Sequence, residues 1–142
     1  MVRKIALVSC VSKKADQPQP AKDLYTSDWF KKASQYAARI SDQWYILSAK
    51  HGVVEPEKEM APYDETLNEM GADQRRAWAR DVARELEEVL QAGDQVILLA
   101  GQRYREHLLE PLRILGCDVK IPMKGLRIGE QKSWLKDKLE GS

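Results

Sequence analysis

The sequence predicts a three-layer α/β/α fold around a four-stranded parallel sheet, on the strength of three observations. Four short apolar runs occur along the chain, and segments with a helical pattern separate them. The first three runs are continuous rather than alternating, which is typical of strands covered on both faces. Strands that alternate with helices pair in parallel through right-handed crossovers, and the strand order 2-1-3-4 is the most plausible arrangement.

The four strands are predicted at the apolar runs themselves. They are Ile5–Cys10, Trp44–Ser48, Gln95–Ala100 and Asp118–Ile121. Two long polar connections contain prolines, at residues 13–24 and 53–71. Both follow the carboxyl end of a strand, so we expect two structureless loops, functional or mobile, over one rim of the sheet.

The first two helices are predicted from apolar residues that recur at a spacing near 3.6. Ser27 can cap the first helix, whose inward stripe begins at Trp29. The longest helix is expected from about Asp73 to Gln91, and Gly93 ends it. These two helices supply the crossovers between the first three strands.

Two further helices complete the pattern. One begins near Gln102, and Pro111 should kink it or split it in two. The last begins near Ile128 and carries Trp134 and Leu135 on its apolar side. Together these elements predict one α/β domain over residues 1–142.

Composition and charge exclude several classes of protein. The chain has 142 residues, 43% of them hydrophobic, and a formal net charge of +1. No apolar run approaches the roughly 20 residues that span a bilayer. Cys10 and Cys117 lack metal-binding spacing and the chain has two histidines, so neither a metal site, a cofactor nor a disulfide is expected. We expect a cytoplasmic protein with no membrane partner.

Cationic and polar side chains follow every predicted strand, whereas the opposite strand ends carry an ordinary mixture. In an open parallel sheet the carboxyl ends of the strands border the ligand crevice. The candidate binding residues are Ser9, Cys10, Lys13, Lys14, Tyr25, Ser27, Ser48, Gly52, Tyr63, Gly101, Arg103, Tyr104, Gly125 and Gly129. This rim predicts a positive pocket for phosphate, a nucleotide or a nucleic acid strand.

The stretch from Ser48 to Gly52 contains the strongest candidates for chemistry. Lys50 and His51 follow a buried strand directly, and Gly52 permits a sharp departure of the chain. Two interpretations of His51 have equal weight: it is a residue of the functional site, or it is a hydrogen-bonding residue that fixes the loop. Cys10 has a competing interpretation as a small buried hydrophobe, and Lys13 and Lys14 as a solvated pair. Gly101 opens a helix directly from a strand, where free N–H groups favour an anion.

Several known signatures are missing from the sequence. It has neither the GxxxxGK[ST] nor the GxGxxG pattern, which disfavours ATP-driven and dinucleotide chemistry. It also has no GxSxG elbow and no readable carboxylate pair, which disfavours the corresponding hydrolases and glycosidases.

The rim motifs resemble a prokaryotic and phage domain family of unknown function. The resemblance spans nearly the whole chain. It rests on Ser9-Cys10-x-x-Lys13-Lys14, Leu24-Tyr25-x-Ser27, Leu47-Ser48-Ala49-Lys50-His51-Gly52-Val53, Pro62-Tyr63-Asp64, Gly101-x-Arg103-Tyr104 and Gly125-Leu126-x-Ile128-Gly129.

Two better-described groups share some of these elements. Cys-x-x-Lys-Lys and Tyr-x-Ser are similar to a motif of archaeosine synthase, which adds lysine to a 7-deazaguanine base in tRNA. Leu-Ser-Ala-Lys-His-Gly-Val and Pro-Tyr-Asp are similar to elements of the YaaA peroxide-stress family, which is associated with DNA binding. The order of elements also resembles the uracil-DNA glycosylase-like fold. The chain departs from the synthase motif, because Ser9 replaces its proline and no histidine follows Ser27 at its spacing.

These resemblances imply a pocket at this rim that recognises a base or a nucleotide. The first functional hypothesis is a nucleobase-recognising enzyme that modifies a base or acts on an N-glycosidic bond. His51 would be the acid/base or electrophile with Lys50 beside it, and Asp64 would hold the imidazole or a water. Tyr25 or Tyr63 would stack on the base. The alternative is a nucleic-acid or nucleotide-binding module without turnover, and a scaffold domain ranks third. The partner could be a free nucleotide, tRNA or DNA, and the sequence leaves the oligomeric state open.

Overall fold

The computed structural model describes residues 2–141. Its strands are β1 (Lys4–Ser9), β2 (Gln19–Pro20), β3 (Gln43–Ser48), β4 (Gly52–Val54), β5 (Glu59–Met60), β6 (Gln95–Leu99) and β7 (Asp118–Lys120). Its helices are α1 (Ala21–Leu24), α2 (Asp28–Ile40), α3 (Ala72–Val89), α4 (Gln102–Arg105), α5 (Leu109–Ile114) and α6 (Ile128–Glu140), with a 3-10 turn at Leu67–Glu69. The four strands predicted from the sequence are therefore confirmed, with ends that differ by one residue.

The main sheet has five strands in the order β4-β3-β1-β6-β7. The predicted strands β3, β1, β6 and β7 pair in parallel, whereas β4 pairs antiparallel with β3 at the edge. The expectation of a four-stranded, all-parallel sheet is thus wrong in one respect. Only three residues separate β3 from β4, and a connection that short can join strands only as an antiparallel hairpin.

Two helical layers cover the sheet, which explains why β1 is apolar at consecutive positions. Ala6 and Val8 pack into one core with α2 and Leu135 of α6. Ile5 and Leu7 face the other way, into a second core with α3 and α5. Because successive strand residues point to opposite faces, both faces of β1 are buried.

The helices follow the signals in the sequence. The Ser27 hydroxyl accepts a hydrogen bond from the Phe30 N–H at 3.1 Å and so caps α2 as predicted. The predicted third helix is split into α4 and α5, which places Pro111 in the first turn of α5, where its missing N–H costs no hydrogen bond. Among the described residues, no helix has the length and apolar character that crossing a membrane requires.

The two long connections are structured, contrary to the sequence expectation. β2 from the first connection pairs antiparallel with β5 from the second. The Ala21 N–H donates to the Lys58 carbonyl at 2.7 Å and the Lys22 N–H to the Pro56 carbonyl at 2.9 Å. Leu24, Met60 and Leu67 anchor these segments in the core. These few apolar residues are enough to dock both loops, although they are spaced too widely to form a helical or strand pattern in the sequence.

Candidate functional site

A cavity of about 500 Å³ opens at the carboxyl ends of β1 and β6, and we call it the rim cavity. After β1 the chain continues to β3, toward one edge of the sheet, and after β6 it continues to β7, toward the opposite edge. The two strand ends therefore diverge, which is where open α/β sheets form their ligand crevice. The rim cavity is lined by Ser9, Cys10, Val11, Ser12, Lys13, Ser27, Trp29, Thr66, Asn68, Gly101, Gln102, Arg103, Tyr104, Ile128, Gln131 and Lys132.

Seven of the predicted binding residues line this cavity. They are Ser9, Cys10, Lys13, Ser27, Gly101, Arg103 and Tyr104. They come from three separate elements, so the structure brings together residues that the sequence placed at different strand ends. The sequence predicted a pocket over all four strand ends, whereas the cavity lies at the ends of the first and third predicted strands.

The charge of the rim cavity is one-sided. Lys13, Arg103 and Lys132 are exposed at its walls and make no ion pair with any residue that the structure describes. No aspartate or glutamate among residues 2–141 lines it. Asp28, which interacts electrostatically with Lys132, is already bound by Lys32 at 2.6 Å. Such an uncompensated positive surface attracts an anionic ligand.

Trp29 contributes an apolar wall in a fixed orientation. Its indole N–H donates to the Gln131 side-chain oxygen at 2.8 Å, and the Gln131 amide donates to the Leu126 carbonyl at 2.8 Å. The first hydrogen bond holds α6 against the start of α2, and the second fixes the Gln131 side chain against the segment that precedes α6. The sequence assigned Trp29 to the core, and the structure makes it both a core residue and part of the cavity wall.

Cys10 and Tyr104 form a buried polar pair on the cavity wall. The Cys10 sulfur and the Tyr104 hydroxyl are 3.2 Å apart, and the same hydroxyl accepts from the Leu67 N–H at 3.4 Å. Burial raises the pKa of Tyr104 well above its usual value, so this hydroxyl keeps its proton at neutral pH. Tyr104 can therefore donate to the sulfur or to a ligand.

The remaining predicted binding residues lie elsewhere. Lys14, Tyr25, Ser48, Gly52, Tyr63 and Gly125 are not part of the cavity wall, and Gly129 lines a neighbouring groove. Lys50, His51 and Asp64, the three catalytic candidates, are exposed and also lie outside the cavity wall. The predicted site therefore divides into a cavity and a separate region around the β3–β4 hairpin.

Residues 48–52, which we call the Ser48 turn, join β3 to β4. The buried Ser48 hydroxyl accepts from the backbone N–H groups of Lys50 at 3.3 Å and His51 at 3.0 Å. It donates to the Tyr63 hydroxyl at 2.8 Å, and Tyr63 is hydrogen-bonded in turn to Tyr25. Every polar group of this chain of contacts has a partner within the protein. The Ser48 turn is a structural unit.

Gly52 has a steric role in that turn. Its φ is +73°, and a Cβ there would overlap with the Glu85 carboxylate oxygen Oε1. Glu85 needs this approach, because its carboxylate accepts from the Val53 N–H at 3.1 Å. Gly52 thus allows the hairpin to dock against α3 rather than contacting a ligand.

Tyr25 and Tyr63 are enclosed by other side chains, which leaves little aromatic surface for stacking on a base. Tyr25 is 1% exposed, and burial raises its pKa to about 12. The Lys14 ammonium lies 4.4 Å from the Tyr63 ring centroid, and the His51 ring meets the same ring edge-on at 5.4 Å. Desolvation is the largest cause of the lowered pKa of both Lys14 and His51.

The chain beyond β4 is acidic, which the sequence analysis missed by considering strand ends alone. Residues 55–69 carry one lysine and six carboxylates, at Glu55, Glu57, Glu59, Asp64, Glu65 and Glu69. Glu65 acts electrostatically on His51 and Lys14, and Asp64 on Lys14. The rim is therefore cationic at β1 and β6 but mixed at β3.

The expectation of an anion site at Gly101 needs revision. α4 has only four residues, so the opening at Gly101 lacks the dipole of a longer helix, and Arg103 is the stronger attraction there. Among the residues that the structure describes, no cluster of His, Cys, Asp and Glu could hold a metal ion. Lys132, Asn68 and Gln131 were missed because α6 and the 3-10 turn are brought to the cavity only by tertiary packing.

The fold and the cavity together define an α/β protein with an open, mostly parallel sheet and a cationic pocket at the carboxyl ends of its central strands. The chain belongs to the family of unknown function DUF6884, whose model matches residues 5–137. It is also similar to the uncharacterized protein YfjM of Bacillus subtilis (strain 168). The two are 30% identical over 120 residues, which cover 75% of each chain.

Proposed function

We propose that the protein binds a nucleotide, free or within a nucleic acid, in the rim cavity. The observation that supports this most strongly is its charge: Lys13, Arg103 and Lys132 make no ion pair within the described chain, and no carboxylate of that part of the chain lines the cavity. A phosphate would complement these cations. A volume near 500 Å³ lies in the usual range for small-molecule sites.

The uncharged part of the rim cavity suits a base. Trp29 lines the cavity with a small exposed part of its indole, since the residue is 6% exposed. Asn68 is an exposed lining residue, and its side-chain amide makes no hydrogen bond within the described chain. A free amide is one of the groups that proteins use to read the edge of an unpaired base.

The distant resemblances favour the same ligand class. We extend the proposal to a uracil-DNA glycosylase-like arrangement, since the parallel strands run β3-β1-β6-β7 in space. Archaeosine synthase and the YaaA family are likewise concerned with a nucleobase or with DNA. Of the motif residues behind those resemblances, Cys10, Lys13 and Ser27 line the cavity.

Chemistry on the bound base is a second candidate function, which the Cys10–Tyr104 pair favours. A thiol and a protonated phenol lie 3.2 Å apart on the cavity wall, where one can act as nucleophile and the other as proton donor. His51, Lys50 and Asp64 lie outside the cavity wall and have no part in this proposal.

Calorimetric titration with nucleoside 5′-monophosphates tests the binding proposal. We expect saturable binding, and at least tenfold weaker binding of the parent nucleosides, because they lack the charged partner of the three cations. Absence of binding by every nucleotide, or equal affinity for nucleosides, would contradict it.

Mass spectrometry tests the second candidate. Nucleotides, tRNA and single- and double-stranded DNA would be incubated with the protein, with Cys10→Ser as the inactive variant and His51→Ala as the matched control. A mass change that Cys10→Ser abolishes and His51→Ala preserves supports turnover at the cavity. No mass change with any substrate leaves the binding module as the function.

A further inference from the structure

Ile128 stands at the mouth of the rim cavity and is unusually exposed for its type. Its relative exposure is 59%, at the first residue of α6. It is one of three large hydrophobic residues in the described chain with a mostly exposed side chain, the others being Val2 and Ile114. A single exposed apolar residue is common on protein surfaces, so the informative observation is its place in the lining of the rim cavity, where it can contact a ligand.

A second depression lies on the other side of Ile128. This α6 groove has a volume of about 740 Å³ and is lined by Arg127, Ile128, Gly129, Glu130, Ser133, Trp134 and Asp137. Ile128 lines both the groove and the rim cavity, and it therefore forms the ridge between them. Gln131 and Lys132 of the same helix face the cavity, whereas Ser133 and Trp134 face the groove.

The charges at the ridge suit a chain of phosphates. Arg127 and Lys132 lie on either side of Ile128 along α6, one lining the groove and one the cavity, and neither makes an ion pair within the described residues. The groove also holds two carboxylates. Glu130 is engaged with the Arg127 backbone N–H at 2.9 Å, and Asp137 lies about two turns further along the helix.

We propose that the protein binds single-stranded nucleic acid, with one nucleotide in the rim cavity and the base of its neighbour packed on Ile128 over the α6 groove. The inference rests on the proposed nucleotide binding and names its ligand as a polymer. A free mononucleotide fills the cavity but leaves Ile128 in water. A flanking base covers Ile128, and its phosphate lies within reach of the cations at the ridge.

The strand must be unpaired, because a base inside a duplex can neither enter a concave cavity nor offer its face to a side chain. The near-neutral net charge of +1 fits a footprint of a few nucleotides rather than extended duplex binding.

Ile128→Ala tests the proposal, with Ile114→Ala as the matched control. Ile114 is 78% exposed on α5 and lines neither depression. Affinities for a nucleoside 5′-monophosphate and for single-stranded DNA and RNA tetramers would be measured by calorimetry. We expect a tetramer to bind at least tenfold more tightly than the monophosphate. Ile128→Ala should weaken tetramer binding about fivefold more than it weakens monophosphate binding, since the contact with the flanking base exists only for the polymer.

The outcomes separate this inference from the proposal beneath it. If neither ligand binds, the proposed nucleotide binding itself fails. If the monophosphate binds and the tetramer binds no tighter, nucleotide binding in the rim cavity is supported, but the inference that the ligand is a single-stranded nucleic acid is wrong. Equal losses in Ile128→Ala and Ile114→Ala, or a duplex that binds as tightly as the single strand, would also overturn the inference.

Discussion

The rim cavity and the Ser48 turn lie at the carboxyl ends of neighbouring strands, and both contain serine and lysine. At the Ser48 turn the hydroxyl groups bond within the protein: Ser48 holds the turn and donates to Tyr63, which is joined to Tyr25. In the rim cavity Lys13, Arg103 and Lys132 have no ionic partner in the described structure. Residue types alone do not distinguish a site from a structural network. Hydroxyl groups that are all satisfied within the protein indicate a structural network, whereas several unpaired cations around one cavity indicate a site.

The largest expected effect is on ligand binding at the cavity. Lys13→Gln/Arg103→Gln removes two cations that each make a charge-assisted contact worth about 1.5 kcal/mol or more, so nucleotide affinity should fall about a hundredfold. Stability should change by less than about 0.5 kcal/mol, because both side chains are exposed.

Lys31→Gln/Lys136→Gln is the control for that double variant. It removes the same charge from exposed positions on α2 and α6 that do not line the cavity. Equal losses of affinity in the two double variants would mean that net charge, rather than the cavity, determines binding.

The Ser48 turn should respond in the opposite way, through stability. Tyr63→Phe leaves the buried Ser48 and Tyr25 hydroxyls without their shared partner, which should cost about 1–3 kcal/mol in the free energy of unfolding. Urea denaturation measures this loss, and nucleotide affinity should not change. Tyr45→Phe is the control, since its hydroxyl contacts only the exposed Gln43. An unaffected Tyr63→Phe protein would show that the hydroxyl network contributes nothing.

Gly52→Ala should destabilise the same turn by about 1–2 kcal/mol, the cost of a left-handed conformation for a residue with a Cβ. Glu85 must also move away from the new methyl group. If Gly52→Ala costs more than about 2 kcal/mol, the excess comes from the clash with Glu85. The double variant Gly52→Ala/Glu85→Ala should then recover part of that excess. Gly101→Ala, where no atom lies within 4 Å of the added Cβ, should be close to neutral in the same denaturation assay.

The smallest effect is the titration of His51. Burial, followed by the charges of Lys50 and Lys58, lowers its pKa in the folded protein. The unfolded chain then binds more protons, so stability rises with pH through the window from the folded pKa up to about 6.5, the unfolded value. NMR titration should give a His51 midpoint below 6.5, and His51→Gln should flatten this part of the pH profile. A midpoint above 6.5 would mean that Glu65 outweighs burial.

Most of the fold follows from local sequence signals. Continuous apolar runs locate β1, β3, β6 and β7, Ser27 marks the start of α2, and Pro111 marks the break before α5. β4 was not predicted because it has only three residues. It also follows a turn that the sequence analysis interpreted as the beginning of the connection to the next parallel strand. The β2–β5 pair depends on contacts between two distant connections, which no local pattern encodes.

The candidate site is predictable in part. Ser9, Cys10, Lys13, Arg103 and Tyr104 follow β1 and β6, and the divergence of the chain after these two strands follows from the order 2-1-3-4. That rule points to the first and third strands rather than to the Ser48 turn. Trp29, Asn68 and Lys132 could not be found in this way, because helix packing and the docked second connection bring them to the cavity.

The most direct test compares two lysines on the two sides of the rim. Lys132→Gln and Lys50→Gln remove the same charge from exposed side chains, one on the cavity wall and one in the Ser48 turn. Both variants would be titrated with a nucleoside 5′-monophosphate by calorimetry. We expect Lys132→Gln to weaken binding about tenfold, as for the loss of one charge-assisted contact, and Lys50→Gln to leave it within twofold. The reverse order of effects would place the site at the Ser48 turn and contradict the assignment of the rim cavity.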